Sequence, residues 1–256
     1  QKFERGGIYR FTVDVTKGNT KAVLTVEKVG KVDLPAPDIF FGNSKMEVTD
    51  TDIYKSDQVF TRGQMITVTG IDNLNEWWID PDFFEKQSDG TLKFLPINGD
   101  YRVTANGILK YFSVIALKDG KPAKLQDDGT GAIWAIGKGI GKPSVTSSEV
   151  GWETGKALCL AQVAPKKYQL TLKAGETLKT SGDWEAISFK FFYQNDWGGE
   201  FSNYASNTLV EQLKLTGSGN LEMQDNKAFE EGGVYRFTID VTNGNANAIL
   251  KVEKIN

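Results

Sequence analysis

An internal repeat constrains this chain more than any other sequence feature. Residues 3–29 read FERGGIYRFTVDVTKGNTKAVLTVEKV, and residues 229–255 read FEEGGVYRFTIDVTNGNANAILKVEKI, at an offset of 229 − 3 = 226 without a gap. In each copy, apolar and polar residues alternate on both sides of a Gly-Asn turn, which is Gly18-Asn19 in the first copy and Gly244-Asn245 in the second. Alternation with a period of two around such a turn predicts a β-hairpin with one buried face.

A third, weaker copy of the motif divides the chain into modules. Residues 99–104, GDYRVT, repeat the opening of the hairpin, and a second segment from Ile108 to Val114 follows Asn106-Gly107. If the hairpin closes every module, the middle module is 30–117 and the last module is 118–256. Residues 1–29 are then the closing hairpin of a preceding module. Because an isolated hairpin is only marginally stable in water, we expect it to pack on the middle module or to exchange with the equivalent hairpin of a neighbouring chain.

The rest of the chain also has the pattern of β-strands. Short alternating or apolar runs at 65–69, 168–172 and 187–191 lie between glycine-rich turns. No segment keeps an apolar period of 3.6 residues over three turns. Only Asp82-Phe83-Phe84-Glu85, after Asp80-Pro81, indicates one helical turn. We therefore predict an all-β fold of tandem immunoglobulin-like β-sandwich modules.

Composition removes several classes of function. The 256 residues contain no histidine, so the commonest general base, the Ser-His and Cys-His nucleophile pairs and most catalytic zinc sites are absent. The 30 Lys and Arg residues stand against 33 Asp and Glu residues, which disfavours binding of nucleic acid or of an acidic membrane. The single cysteine, Cys159 in Ala-Leu-Cys-Leu-Ala, is expected to be a buried strand residue.

Two further motifs resemble catalytic or nucleotide-binding sites only superficially. The segment 137–142, GKGIGK, lacks the spacing of a phosphate-binding loop, and we interpret it as a flexible surface loop. The carboxylates that lie nearest to one another in the sequence are Asp80, Asp82 and Glu85. Helix capping and turn formation explain these residues. The alternative, which we leave open, is that they are the catalytic carboxylates of a glycosidase. No acidic segment has the spacing of a calcium loop, and a Ca²⁺ ion bound to a turn is left open. We predict no catalytic residues, no cofactor and no metal ligands.

Tryptophans in polar, turn-like segments are more informative. Six Trp and eight Tyr residues are many for this length, and several have Asp, Asn, Gln or Lys as neighbours. The apolar face of a sugar ring stacks on an aromatic ring while flanking side chains bind its hydroxyl groups. We therefore predict a glycan-binding site. Its candidate residues are Trp197, Trp184, Trp152, Tyr193, Asp196, Gln194, Asn195, Lys190, Trp77 and Trp78.

Short motifs after residue 30 carry a family resemblance. In the last module they are Ala132-Ile133-Trp134-Ala135-Ile136-Gly137, Gly151-Trp152, Lys173-Ala174-Gly175-Glu176 and Ile187-Ser188-Phe189-Lys190-Phe191. In the middle module they are Trp77-Trp78-Ile79-Asp80-Pro81-Asp82-Phe83-Phe84 and Leu92-Lys93-Phe94. The last module resembles the C-terminal binding modules of the SusE/SusF-like surface glycan-binding lipoproteins of Bacteroidetes, and the middle module resembles uncharacterised domains of the same proteins. Trp197 stands where members of that family often place a binding aromatic residue.

The resemblance implies a non-catalytic protein on the extracellular face of the cell outer membrane, tethered by a lipid on a cysteine upstream of Gln1. It also implies capture of a polysaccharide or oligosaccharide for uptake, with an outer-membrane glycan transporter complex as a further partner. The motifs specify no particular glycan. The alternative function is that of a structural or adhesive β-sandwich protein that binds a protein partner.

Overall fold

A computed structural model describes residue 3 and residues 6–181 and 186–256 of the chain. The chain forms two compact units, Gln1–Pro37 and Asp38–Asn256. The α-helix α1, Val145–Ser148, is the only one in the described ranges and has four residues. The prediction of an all-β fold of tandem β-sandwich modules is confirmed. Within the same ranges, no helix is long and apolar enough to cross a membrane.

The first unit contains a single antiparallel hairpin. Its elements are β1 (Gly7–Asp14), a 3-10 helix (Asn19–Lys21) and β2 (Val23–Lys31). Phe11 lies opposite Val26, and Val13 lies opposite Leu24. Since cross-strand partners present their side chains on the same side, the apolar residues of the two strands share one face. The hairpin predicted from the repeat is confirmed, with a turn that is longer than two residues. The predicted burial of its apolar face is not found in this copy, where Phe11 is 58% exposed and Val13 is 60% exposed.

The middle module occupies the first part of the second unit. Its strands are β3 (Phe40–Phe41), β4 (Ser44–Lys45), β5 (Glu47–Asp50), β6 (Ile53–Phe60), β7 (Met65–Ile66), β8 (Val68–Thr69), β9 (Phe84–Lys86), β10 (Leu92–Phe94), β11 (Gly99–Asn106), β12 (Tyr111–Lys118) and β13 (Lys121–Pro122). They form a five-stranded sheet in the order β13-β12-β11-β6-β5 and two three-stranded sheets, β7-β10-β9 and β4-β3-β8. Aromatic rings fill the core, where Phe60 stacks on Phe94 and Trp77 stacks on Phe112. The hairpin predicted from the third motif is β11–β12.

The helical turn predicted at residues 82–85 ends earlier than expected. The N–H of Phe84 donates to the carbonyl oxygen of Asp80 at 2.9 Å, which closes one turn. From Phe84 onward the chain is β9, because Phe84 and Glu85 pair with Phe94 and Lys93 of β10. Pairing with a neighbouring strand therefore ends the turn, and the local sequence does not contain that information.

The last module is a sandwich of two sheets. Its elements are β14 (Trp134–Gly141), α1 (Val145–Ser148), β15 (Glu149–Gly151), β16 (Leu158–Cys159), β17 (Ala161–Ala164), β18 (Lys167–Lys173), β19 (Ser188–Phe192), β20 (Ser206–Thr208), β21 (Leu213–Leu215), β22 (Leu221–Met223), β23 (Val234–Asp240) and β24 (Ile249–Lys254), with further 3-10 helices in the two modules at Leu74–Glu76, Thr154–Lys156 and Asn245–Asn247. One sheet has the order β15-β14-β19-β22-β21, with β16 also on β14, and the other has the order β17-β18-β23-β24-β20. Phe189 and Phe191 of the first sheet contact Phe237 of the second, with ring centroids 5.5 and 6.4 Å away. The C-terminal repeat hairpin, β23–β24, thus forms one wall of the core.

The glycine-rich segment 137–142 is not a flexible surface loop, and that interpretation is wrong. Most of it is the second half of β14, which lies between β15 and β19. A Cβ atom on Gly137 would lie 2.3 Å from the Cα of Phe189, and one on Gly141 would lie 2.3 Å from the carbonyl oxygen of Ser148. The glycines are therefore required by the close approach of neighbouring backbones.

A buried ion-pair network joins the middle module to the last one. The ammonium of Lys142 donates to both carboxylate oxygens of Asp80, at 2.9 and 2.7 Å, and to Asp82 at 3.2 Å. Asp82 also accepts from the amide of Gln169 at 2.7 Å and from the N–H and hydroxyl of Thr171, both at 2.6 Å. Burial opposes the charged forms, but the two carboxylates raise the pKa of Lys142, while Lys142, Gln169 and Thr171 lower the pKa of Asp82.

Cys159 is a buried strand residue, as predicted. It lies in β16 with 6% of its surface exposed. Burial raises the pKa of its thiol to about 12. Because the thiolate is the nucleophilic form, Cys159 is suited to packing and not to chemistry near neutral pH.

Candidate functional site

Two exposed tryptophans of the last module lie next to each other. Trp152 directly follows β15, and Trp197 lies in the loop after β19. Their ring centroids are 6.3 Å apart and their ring planes differ by 27°. Trp152 is 36% exposed and Trp197 is 52% exposed. We call these two residues the aromatic pair. Large apolar rings that stay in contact with water in this way provide a surface on which a ligand can stack.

The loop after β19 holds Trp197 in place. The carboxylate of Asp196 accepts from the N–H of Trp197 at 2.8 Å, and the side-chain amide of Gln194 donates to the carbonyl oxygen of Trp197 at 2.7 Å. The ring of Phe192 contacts the indole edge to face, at 6.1 Å between centroids. Gln194 and Asp196, both predicted to bind sugar hydroxyls, therefore fix the backbone that carries the ring.

Neighbouring strands bring Trp152 to the same place. Gly151, the last residue of β15, pairs with Gly137 of β14. Strand β14 pairs on its other side with β19, whose last residue is Phe192. Trp152 and Trp197 are 45 positions apart in the chain, and they meet because each follows a strand that pairs with β14.

Polar side chains lie on the sheet face that carries Phe192. Residues two positions apart on a strand share a face, so Ser188 and Lys190 are on this side of β19. Glu222 pairs with Ser188, and Glu200 forms a bridge opposite Phe192. This side of the sheet therefore carries an ammonium, a buried hydroxyl and two carboxylates, together with Phe192, whose ring contacts Trp197.

Sequence reasoning named Lys190 but missed Phe192 and Glu200. The alternation of β19 carries the signal for Phe192, since it places residues 188, 190 and 192 on one face and the core phenylalanines on the other. Glu200 follows the pair Gly198-Gly199, where the chain turns back toward β19. Only strand pairing shows that Glu200 lies opposite Phe192.

Two other predicted residues of this loop have different surroundings. Tyr193 packs edge to face on Phe201, at 4.2 Å between ring centroids, and contacts the core of the last module. This burial raises the pKa of the Tyr193 phenol. Asn195 is half-buried between the two residues that hold Trp197.

The remaining predicted tryptophans are not part of the aromatic pair. Trp77 is only 8% exposed and stacks on Phe112 in the core of the middle module, at 4.7 Å. Trp78 is half-buried, and its indole N–H donates to the carboxylate of Glu176 at 2.7 Å. Trp184 lies outside the residues that the structure describes.

The three carboxylates that could have served a glycosidase all form ion pairs. Asp80 and Asp82 are buried around Lys142, whereas Glu85 lies at the surface with its carboxylate 3.2 Å from the ammonium of Lys93. In the described part of the chain, no group of three or more Cys, Asp or Glu side chains could hold a metal ion.

The fold and the aromatic pair define an all-β protein of tandem sandwich modules with an exposed aromatic surface. Residues 128–242, which include both tryptophans of the pair, match the model of a domain of unknown function (DUF5121). Residues 15–125 match the model of a second domain of unknown function (DUF5125). No curated protein matches the chain.

Proposed function

We propose that this protein is a non-catalytic carbohydrate-binding protein that captures a polysaccharide or an oligosaccharide on its last module. One observation carries the proposal: Trp152 and Trp197 expose adjacent rings, 6.3 Å apart, on a supported part of the sandwich. The hydrogen bonds to the backbone N–H and carbonyl oxygen of Trp197 add to it, because a loop that is already ordered loses less freedom when a ligand binds.

Stacking and hydrogen bonding together would hold the glycan. The C–H face of a sugar ring covers the indole, and removal of apolar surface from water stabilises the contact by about 25 cal/mol per Å². Lys190, Asp196 and Glu200 supply a donor and two acceptors for hydroxyl groups. Open sites of this kind bind with a Kd of about 10⁻⁴ to 10⁻³ M, or about 4 to 5.5 kcal/mol. Repeated modules on one surface would raise the avidity.

We further propose that the protein acts on the extracellular face of the outer membrane, anchored by a lipid, and delivers its glycan to an outer-membrane transporter complex. The sequence resemblance of the last module supports this part of the proposal. An open surface suits capture of a long chain at any point along it, since no pocket has to enclose a chain end.

Affinity gel electrophoresis against a panel of polysaccharides tests the proposal. Wild type, Trp197→Ala and Trp152→Ala are run in gels that contain one polysaccharide each. The matched control is Phe40→Ala, because Phe40 of the middle module is 36% exposed, as Trp152 is. We expect one glycan to retard the wild type and the control, and retardation to fall at least fivefold in either tryptophan variant.

Two results would contradict the proposal. Retardation that survives in both tryptophan variants would keep glycan binding but place it away from the aromatic pair. Migration that no polysaccharide affects would favour the alternative of a structural or adhesive protein.

A further inference from the structure

We propose that a cavity between the middle module and the last module binds a small primary amine, whose ammonium group contacts the carboxylate of Asp80. The cavity lies within the second unit and has a volume of about 230 Å³. Neither tryptophan of the aromatic pair lines it. The inference is therefore independent of glycan binding.

Both modules contribute to the wall of the cavity. The wall is formed by residues 111–115, residues 155–159, Asp80, Phe83, Lys142 and Ser148. Alternation along β12 turns the side chains of Tyr111, Ser113 and Ile115 to one face, because Phe112 and Val114 belong to the core of the middle module on the other face. The cavity therefore offers hydroxyl groups next to apolar side chains and buried charges.

The cations on the wall are already occupied. The ammonium of Lys142 has three N–H donors, and it contacts three carboxylate oxygens, two of Asp80 and one of Asp82, at 2.7 to 3.2 Å. Among the described residues, Lys156 is the other cation on the wall, and it forms an exposed ion pair with Glu153. This arrangement disfavours an anionic ligand.

One buried carboxylate on the wall keeps a free acceptor position. A carboxylate has about four such positions, and that of Asp82 uses all of them. Its donors are the ammonium of Lys142, the amide of Gln169, and the N–H and hydroxyl of Thr171. In the described part of the chain, Asp80 accepts only two bonds from Lys142 and one from the N–H of Asp82. The free position is on Oδ2 of Asp80, which is the carboxylate that lines the cavity.

The buried charges of the network do not balance. Asp80 and Asp82 carry two negative charges and Lys142 carries one positive charge, which leaves a net charge of 1 − 2 = −1. Burial raises the pKa of Asp80, and the attraction of Lys142 offsets this effect only in part. A second cation in the cavity would compensate the excess charge. A primary ammonium supplies both that charge and an N–H donor for Oδ2.

The volume of the cavity limits the size of the amine. Pockets for drug-sized ligands have about 300 to 1,000 Å³, and this cavity is smaller. Its volume equals that of about eight water molecules at about 30 Å³ each. An amine with a single ring is therefore the expected ligand. The hydroxyl groups of Tyr111 and Ser113 can accept its other N–H groups, and Ile115 and Leu158 provide apolar contacts for its ring.

Isothermal titration calorimetry in sodium phosphate buffer tests the proposal with two matched pairs of probes. The pairs are tyramine with tyrosol and glucosamine with glucose, and in each pair a hydroxyl group replaces the ammonium. We expect at least one amine to bind at one site per chain and its neutral counterpart to bind at least tenfold more weakly. Asp80→Asn should lower the affinity for that amine at least tenfold, because the amide carries no charge.

A second variant fills the cavity and leaves the charges in place. Ser113→Leu adds apolar volume on the face of β12 that lines the cavity, and we expect it to abolish amine binding. The matched control is Ser206→Leu, since Ser206 is an exposed residue of β20, and it should bind like the wild type. Circular dichroism verifies the fold of each variant. If Asp80→Asn does not fold, Ser113→Leu still tests the site.

Three results would overturn the proposal. Equal affinities within both pairs of probes would show that the ammonium is not recognised. Absence of binding for both amines would show that the cavity does not accept this class of ligand. Amine binding that Ser113→Leu retains, or that Trp197→Ala abolishes, would place the amine outside the cavity.

Discussion

The ammonium nitrogen of Lys142 lies 2.7 Å from the Oδ2 atom of Asp80, and each side chain is only 6% exposed. Asp80 belongs to the middle module, and Lys142 directly follows β14 of the last module. Charges buried together stabilise a fold only if each is paired and its remaining hydrogen-bonding positions are filled. Asp82 accepts from Lys142 and its N–H donates to Asp80, while Gln169 and Thr171 donate to the carboxylate of Asp82. The network therefore fixes the two modules against each other.

Loss of the ammonium should destabilise the second unit. Lys142→Met keeps the apolar stem but leaves two buried carboxylates without their cation, and we expect a loss of about 3 to 5 kcal/mol. Urea unfolding followed by tryptophan fluorescence measures it. The control is Lys156→Met, because the ion pair of Lys156 with Glu153 is exposed and such pairs contribute about 0 to 1 kcal/mol. Equal effects of the two substitutions would contradict the structural role of Lys142.

The effect of Asp82→Asn should depend on pH. Folding lowers the pKa of Asp82 from its usual value of 3.8, so its contribution to stability is complete well above that value and is lost as the pH falls through the pKa of the folded state. We expect Asp82→Asn to cost about 2 to 4 kcal/mol at pH 7 and progressively less below pH 4. Urea unfolding of both proteins between pH 2.5 and pH 7 measures this difference. A difference that stays constant over the whole range would show that the charge of Asp82 is not involved.

A side chain at position 137 should disrupt the first sheet of the last module. The φ angle of Gly137 is 140°, and a Cβ atom there would lie 2.3 Å from the Cα of Phe189 on β19. We expect Gly137→Ala to cost about 2 to 4 kcal/mol in urea unfolding, because the two strands must separate. Gly217→Ala is the control, since no atom lies within 4 Å of a Cβ built there. Similar midpoints for the two variants would mean that β14 and β19 are not this close.

Removal of the hydrogen bond from Gln194 to Trp197 should reduce glycan affinity without unfolding the protein. Gln194→Met removes the donor to the carbonyl oxygen of Trp197, a hydrogen bond that contributes about 0.5 to 1.5 kcal/mol. We expect retardation by the bound polysaccharide to fall about 2- to 12-fold, less than in Trp197→Ala, with an unfolding temperature lowered by no more than about 6 °C. Gln87→Met is the matched control, because Gln87 makes the same type of bond to Glu85 in the middle module. Wild-type affinity of Gln194→Met would show that this bond does not position the ring.

The most accurate sequence predictions are those that rest on local patterns. Alternation in the repeat predicts the hairpins β1–β2 and β23–β24, with the correct buried face in β23–β24, and the third motif predicts β11–β12. The apolar neighbours of Cys159 predict a buried strand residue. In each case the side chains within about ten positions determine the outcome.

Predictions fail where residues far apart in the chain decide the structure. The segment 137–142 resembles a loop in composition, but it is a strand because β15 and β19 pair with it. Asp80 and Asp82 resemble turn carboxylates, yet Lys142 makes them a buried charge network from 62 and 60 positions away. No local pattern distinguishes Trp197, which is exposed beside Trp152, from Trp77, which is buried on Phe112.

The sequence by itself therefore determined that the protein is an all-β chain of modules, because the period of two in its side chains allows one face of each strand to be buried. It also determined the hairpins β1–β2 and β23–β24, because both copies of the repeat carry the same alternation around the same turn. Only the tertiary structure decided which tryptophans are exposed to solvent and which carboxylates form a buried ion pair. Both depend on strand pairing between distant segments, which no local side-chain pattern specifies.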